Sequence, residues 1–535
     1  MPRWTLLLFC AAYLLPGIFG RAPWRSADII AVGVMDAMAQ GRIPWMQPSL
    51  GGVALDAAPL PHGIGALAIQ WLPWLEAGVA ARLPFVLLLA ATMALTWYAT
   101  FHLARTDAAL PVAFAFGGEA DGVAYARAVA DGALLALMAT LGLLLLGHET
   151  TPELAQLACT ALLLWAMAAA PFRTGRPRLA LMASLPLLAA SGAPVMALAM
   201  GVVATVIAMR SHYNNVRAVI PWIAASTLGA VIVGTWLDQW HWRYGSAFTP
   251  GSLLTSARML VWFLWPAWLL ALWTLWRWRR QTLHRHIAVP LSIAIVAVCA
   301  SIVMNGSQRA LLLGLPAFAV LAAFALPTLK RSTGSAIDWF SMFLFTTLAA
   351  FIWMVYASLQ TGLPSWPSVR VDKLYAGFKP SMSWPLLLLA VSATLAWLAL
   401  VRWRTGRHRS AIWKSLVLPA GGVALSWLLV MTLLLPLADY VRSLTPWVHG
   451  IEQHAKTTDC VAAPGMAPAY VAALELHGKY RVEARVGAPQ ALRCPVMLLV
   501  RADGTPPSVT REWRVVAQVR RPSDRQEVTF VMKRR

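Results

Sequence analysis

The stretch Arg25–Gly63, "RSADIIAVGVMDAMAQGRIPWMQPSLGGVALDAAPLPHG", decides how this chain is read. It lies between an apolar run at Trp4–Gly20 and another from about Val79 to Leu103, so it falls outside a bilayer core. It nevertheless opens as a helix. Ser26 is a fair N-cap, Ile30, Val34 and Met38 recur on one face, and Asp28, Val32, Asp36 and Gln40 share another at four-residue spacing. Gly41 and Pro44 close it. Such a helix is expected to lie in the membrane interface, with the Asp28 carboxylate in its first turn, and Asp56 follows in the Pro/Gly-rich remainder.

The rest of the chain supports a membrane setting. It is 59% hydrophobic and 12% charged, which no ordinary soluble domain matches. The expected class is a mostly α, polytopic membrane protein with about thirteen transmembrane helices and a polar tail. The spans are Trp4–Gly20, Val79–Leu103, Gly132–Gly147, Glu153–Pro171, Leu179–Ala190, Pro194–Met209 and Ala218–Trp236, then Ser256–Trp276, Ile287–Met304, Ala310–Leu326, Trp339–Leu359, Trp384–Val401 and Ser415–Leu435. The first could instead be a cleaved signal peptide, but no small-x-small cleavage site stands out. The net charge of +22 comes mostly from short clusters between spans, among them "PFRTGRPR", "RWRRQTLHRH" and "RWRTGRHRSAIWK". That placement is the positive-inside signature and excludes a nucleic-acid-binding reading. With a cytoplasmic N-terminus, the short outer loops after the opening one keep only Arg243, Arg309, Arg370, Lys373 and Lys379. An odd span count carries the tail across, to the same side as the opening loop.

The divisions are a transmembrane module over 1–437, whose first outer loop covers 21–78, and a small α/β domain over 438–535. The tail carries strand-like runs at "YRVEAR", "CPVMLLVRA", "EWRVVAQVRR" and "EVTFVMKRR", and a helix-like "APAYVAALELHG". Cys10, Cys159 and Cys299 sit in apolar spans as packing residues, whereas Cys460 and Cys494 both fall in the tail. In an oxidising compartment these two are expected to form a disulfide; the alternative is two thiols in a small core. No internal repeat, nucleotide-binding glycine motif or metal-ligand spacing stands out, so neither metal nor cofactor is expected.

The outer ends of the spans collect charge. His148, Glu149 and Glu153 flank the third and fourth spans, and Arg309 precedes the tenth. Each has a bland reading: Asp28 a dipole-complementing charge, Asp56 a solvated acid, Glu153 a helix-start charge, Arg309 a snorkelling arginine. Gathered on one face, acids and an arginine could hold a lipid phosphate while a base acts on a second substrate. "WHWRYG" (Trp240–Gly245) is an interfacial aromatic belt or, through Trp240, Trp242 and Tyr244, a sugar-stacking wall.

The opening loop, the following "GVAARLPFVLLLA" with Arg82, and "SQRALLLGLPAFAVLA" after Ser307 resemble the lipid-linked sugar transferases of the GT-C type. These are the aminoarabinose transferases of lipid A and the protein O-mannosyltransferases, and the outer tail is similar to the aminoarabinose branch. The chain departs from the family at several points. The acidic pair is a single Asp28, Ala57 and Ala58 stand where a Lys-Pro-Pro turn would supply a phosphate-binding lysine, and Ala310 replaces a tyrosine after Arg309. The resemblance implies a monomeric glycosyltransferase of the bacterial inner membrane with a periplasmic site. It would use a polyprenyl-phosphate sugar and an envelope glycolipid or glycan acceptor. It implies Asp28 as catalytic base, Asp56, Glu149, His148 and Glu153 as acceptor-orienting residues, and Arg309, Arg82 and Arg243 as donor-phosphate ligands. A transporter or flippase of lipid-linked sugars is a rival; it would want its charges near the midplane. A non-catalytic scaffold on the same fold is another.

Overall fold

Helices α1 (Arg3–Leu14) and α4 (Ala77–Ala104) bracket the opening loop, as the apolar runs predict. The computed structural model describes residues 3–24, 26–109, 121–240, 250–375, 377–405, 412–456, 460–487, 494–502, 504–505, 512–522 and 527–535. Within the loop, α2 (Ser26–Ala39) is followed by a hairpin of β1 (Ser49–Leu50) and β2 (Val53–Ala54) and by α3 (Pro59–Trp71). Gly41 ends α2 at φ +68°, a backbone state that costs a glycine nothing.

The helical body continues with α5 (Gly122–Ala139), α6 (Leu141–Leu146), α7 (Pro152–Ala169), α8 (Gly175–Ala190), α9 (Pro194–Met209), α10 (Asn214–Arg217) and α11 (Ile220–Trp236). Then come α12 (Pro250–Phe263), α13 (Ala267–Arg277), α14 (Arg285–Val303), α15 (Gln308–Leu312) and α16 (Leu315–Ala325). It closes with α17 (Arg331–Thr361), α18 (Ser365–Leu374), α19 (Trp384–Thr405) and α20 (Val417–Leu433). Every expected span lands on helix, yet the spans are not uniform. Among the described residues, eight helices are long and apolar enough to cross a membrane alone. The expected eighth span is two helices, α12 and α13, bent by 95° where Pro266 cannot continue the hydrogen-bond ladder. The third breaks at Thr140, whose extended backbone separates α5 from α6. α16 is buried on nearly all sides, which explains its uniformly apolar sequence. α17 and α19 turn side chains such as Phe343, Leu388 and Leu395 outward, a lipid-facing surface, and pack with α20 around Ile352, Tyr356 and Trp397.

The tail begins with α21 (Leu435–Arg442) and α22 (Thr445–Glu452), and α23 (Pro468–Leu476) is the expected helix. The four strand-like runs become β4 (Arg481–Glu483), β5 (Val496–Arg501), β6 (Trp513–Arg520) and β7 (Val528–Arg534), with β3 (Cys460–Ala462) added. The sheet order is β4-β3-β5-β7-β6, with β3 parallel to β4 and β5 and the rest antiparallel. The Cys460–Cys494 disulfide is present, at the start of β3 and just ahead of its neighbour β5, Cα atoms 4.9 Å apart.

One expectation is corrected here. α2 does not lie on an open membrane surface. Its Ile29, Val34 and Met38 share a core with Val471, Leu474, Trp447 and Val531 of the tail. A Cβ on Gly33 would stand 2.8 Å from that of Ala472, so helix and tail meet at glycine distance. The tail, not lipid, covers this apolar face and takes it out of water. The opening loop and tail therefore form one unit at one end of the helical body.

Candidate functional site

Asp28 occupies the first turn of α2 and is 1% exposed. Burial of a carboxylate needs partners, and Thr150 supplies them. Oδ1 accepts from the Thr150 backbone N–H at 2.8 Å and from its hydroxyl. Thr150 belongs to the turn between α6 and α7, forced by the extended Thr151 and by Pro152 at the start of α7. Arg309, on α15, reaches the same turn from the other side. It donates to Glu149 at 2.8 Å, to Glu153 at 2.9 Å and to the Thr151 hydroxyl at 3.1 Å. Burial works against the Arg309 charge, but Glu153 and Glu149 outweigh it and raise its pKa. The two residues singled out from distant parts of the sequence thus converge on one short loop.

A cavity of about 420 Å³ opens beside them. Its polar lining is Asp28, Glu149, Arg21 and Arg442, with Tyr375 and Trp24; its apolar lining includes Leu144, Val430, Leu434, Leu437 and Val441. Arg21 is 7% exposed, and its Nε has no hydrogen-bond partner among the described residues. Its terminal nitrogen donates to the His148 carbonyl. Arg21 and Arg442 both stand by the Trp24 ring, 5.2 and 5.5 Å from its centroid. Trp24 in turn donates to Asp439, which also accepts from the Ala22 N–H at 3.2 Å. A larger polar cavity of about 960 Å³ lies between loop and tail, lined by Arg21, Asp36, Arg42, Glu475, Lys479 and Arg481 among others. Arg42 bridges Asp36 at 2.8 Å and Glu475 at 3.1 Å, and Glu475 accepts from the Gly51 N–H at 3.1 Å.

The other expected residues fall in varied places. His148 is buried, donates Nε2–H to the Tyr13 carbonyl at 2.9 Å and stacks near Trp427, centroids 4.4 Å apart. Burial pushes its pKa down to about 4, so at neutral pH it is an uncharged packing group. Arg82 is 2% exposed and ties down the loop start through the carbonyls of Ile18, at 2.6 Å, and Arg21, at 3.0 Å. Asp56 is exposed before α3 and lines neither cavity. Trp240 donates to Thr235 at 3.0 Å and lines neither cavity. Trp242, Arg243 and Tyr244 lie outside the described residues. Among the described residues, no three His, Cys, Asp or Glu side chains gather as a metal group. Sequence reading missed Thr150, Arg21, Trp24 and Arg442. The only local signal was "TTP" beside the flagged acids and "RAPW" ahead of α2.

The sequence matches no protein-family model and no curated protein. Solved structures do match in fold. The crystal structure of ArnT from Cupriavidus metallidurans in the apo state gives a TM-score of 0.65 at 13% identity, covering 99% of this chain and 98% of that one. The same protein bound to undecaprenyl phosphate gives 0.61 at 14% identity over the same shares. This chain therefore has the multi-pass membrane fold of the GT-C glycosyltransferases, in the form that ArnT takes, with a C-terminal sheet domain.

Proposed function

We propose that this protein is a glycosyltransferase that moves a sugar from a polyprenyl-phosphate carrier to an envelope glycolipid or glycan. The site would face the periplasm from the bacterial inner membrane, with the N-terminus cytoplasmic and the tail outside. The observation that supports this best is the meeting of Asp28 and Arg309 at one loop, beside a cavity lined by two arginines, Arg21 and Arg442, two acids and a run of apolar side chains. An isoprenoid phosphate offers the complement, an anionic head for the arginines and an apolar chain for the leucines and valines. ArnT, of the same fold, binds undecaprenyl phosphate.

Asp28 acts as general base. It takes the proton of an acceptor hydroxyl or amine as that atom bonds to the anomeric carbon. The carbon–oxygen bond to phosphate breaks, its electron pair stays on the phosphate oxygen, and the lipid phosphate leaves with inversion at carbon. Charge growing on the leaving group needs preorganised cations. Arg309 and Arg82 already hold carboxylates and carbonyls, so Arg21 and Arg442, which line the cavity, are better placed to meet it. Arg309 keeps the loop in place, and Glu149, on the cavity wall, orients the acceptor.

The test uses membranes carrying the protein, undecaprenyl-phosphate-linked pentoses and hexoses, and an envelope-lipid extract as acceptor. Mass spectrometry follows release of undecaprenyl phosphate and gain of sugar. Loss of a base costs about 10²–10⁴-fold, so Asp28→Asn should leave at most about a hundredth of wild-type transfer while the protein still folds. Near-normal transfer by that variant would remove Asp28 from the chemistry.

A further inference from the structure

The two oxygens of Asp28 are not equivalent. Oδ1 takes both donors of Thr150, the backbone N–H at 2.8 Å and the hydroxyl. Among the described residues no hydrogen bond reaches Oδ2, and the side chain lines the cavity. We infer that Thr150 is a positioning residue for the base: it fixes the carboxylate rotamer through Oδ1 and leaves Oδ2 as the oxygen that receives the acceptor proton. This rests on the transferase reading and adds to it a residue that never touches substrate.

Three further observations make the arrangement more than a satisfied buried acid. Thr150 is itself fully buried, so its hydroxyl has no competing solvent. Both its donors reach Oδ1, so the other oxygen keeps its acceptor capacity. The residues on either side, Glu149 and Thr151, are gripped by the same guanidinium, with Glu153 beyond them. The loop therefore cannot rotate Thr150 away without breaking contacts to Arg309. The clamp acts on the base through Thr150, and a proton acceptor misplaced by an ångström loses much of its rate.

The experiment follows undecaprenyl phosphate release kinetically, varying the sugar-linked donor at fixed envelope-lipid extract. Thr150→Val keeps shape and backbone N–H and removes only the hydroxyl. It should lower kcat about ten- to a hundredfold, the scale of one hydrogen bond to a charged group, and leave the donor KM within about twofold. Thr150→Ser restores the donor and should restore kcat. In the Asp28→Asn background, Thr150→Val should cost nothing further, because the group it positions is gone. Thr150→Ala gives the same reading should the valine variant fold poorly. If Asp28→Asn is inactive but Thr150→Val and Thr150→Ala turn over like wild type, the inference fails and the transferase reading stands. The inference also fails if Thr150→Ser is as slow as Thr150→Val, or if the loss persists in the Asp28→Asn background, since the threonine would then serve only the loop's packing. If wild-type protein releases no undecaprenyl phosphate from any of these donors, the transferase reading itself is overturned.

Discussion

The two ends of the helical body use the same residue, arginine, in different balance. At the end that meets the tail, two arginines are locked to acids: Arg309 holds Glu149 and Glu153, and Arg42 bridges Asp36 and Glu475, while Arg21, Arg82 and Arg442 there meet carbonyls or the Trp24 ring. At the far end they face rings and carbonyls. Arg105 stands 5.5 and 5.0 Å from the Phe101 and Phe172 rings, Arg178 5.9 Å from Trp222, and Arg285 donates to the Met167 carbonyl. Arg404 with Asp338 is the exception there. Guanidiniums spread over rings anchor helix ends near a charged surface and can be exchanged for one another. Guanidiniums locked to buried acids fix geometry and cannot. On the transferase reading, chemistry belongs at the second kind of end, and substitutions should separate the two.

The largest effect on stability is expected from the disulfide of the site end. Cys460 and Cys494 are 34 residues apart, and closing a loop of that size is worth about 3–4 kcal/mol against the unfolded chain. Replacing both with serine should lower the melting temperature of the tail and, because α2 shares its core, reduce transfer as well. Non-reducing alkylation of cell-grown protein should find only the three other cysteines reactive. Free Cys460 and Cys494 thiols in that material would place the site end in a reducing compartment and undo the assignment of sides.

Next comes the clamp. Arg309→Met removes the guanidinium that lies 2.8 Å from the Glu149 carboxylate, whose side chain is 5% exposed. Breaking such a pair costs about 3 kcal/mol, read as a drop in melting temperature. Transfer should fall with it through kcat, with the donor KM little changed. A large rise in donor KM at unchanged kcat would instead make Arg309 a phosphate ligand, as the family resemblance first implied.

This contrast was half legible in the sequence. Asp28 could be read because a helix start and a four-residue rhythm place it without tertiary knowledge, and Arg309 because it opens an apolar span. The helical body and four of the five tail strands follow from hydrophobic periodicity alone. Convergence is what a linear reading lacks. Ala22 and Asp439 are 417 residues apart and hydrogen bonded, and no local pattern announces that. Thr150 carries no signal of its own between Glu149 and Glu153, since its contact exists only once α2 arrives. The burial of α2 was misread for the same reason. An amphipathic face states that it will be covered, not whether lipid or protein covers it.

A smaller effect is expected from pH. Burial raises the pKa of both Asp36 and Glu475 above ordinary carboxylate values, with Arg42 only partly offsetting it. A carboxyl whose folded pKa lies above its unfolded one binds more protons when folded. Stability then falls as pH rises from the ordinary carboxylate range through the raised values. The joint between loop and tail should therefore tighten on mild acidification, read as greater protection of α2 amides from hydrogen exchange. Asp36→Asn with Glu475→Gln should flatten that dependence. An unchanged slope in the double variant would assign it to other groups.

The smallest effect should come from the far end, and its smallness is the sharpest check on the comparison. Among the described residues the half-buried Arg105 side chain meets rings, and such cation–ring contacts are worth about 1 kcal/mol. Arg105→Gln should shift the melting temperature slightly and leave kcat and donor KM within about twofold. Nothing connects Arg105 to the loop at Thr150 except the length of α4 and its packing, and a rigid helix transmits no loss of charge at its other end. If this variant slowed transfer as much as Arg309→Met, the ends would be coupled through α4. The division of labour between paired and ring-bound arginines would then not hold.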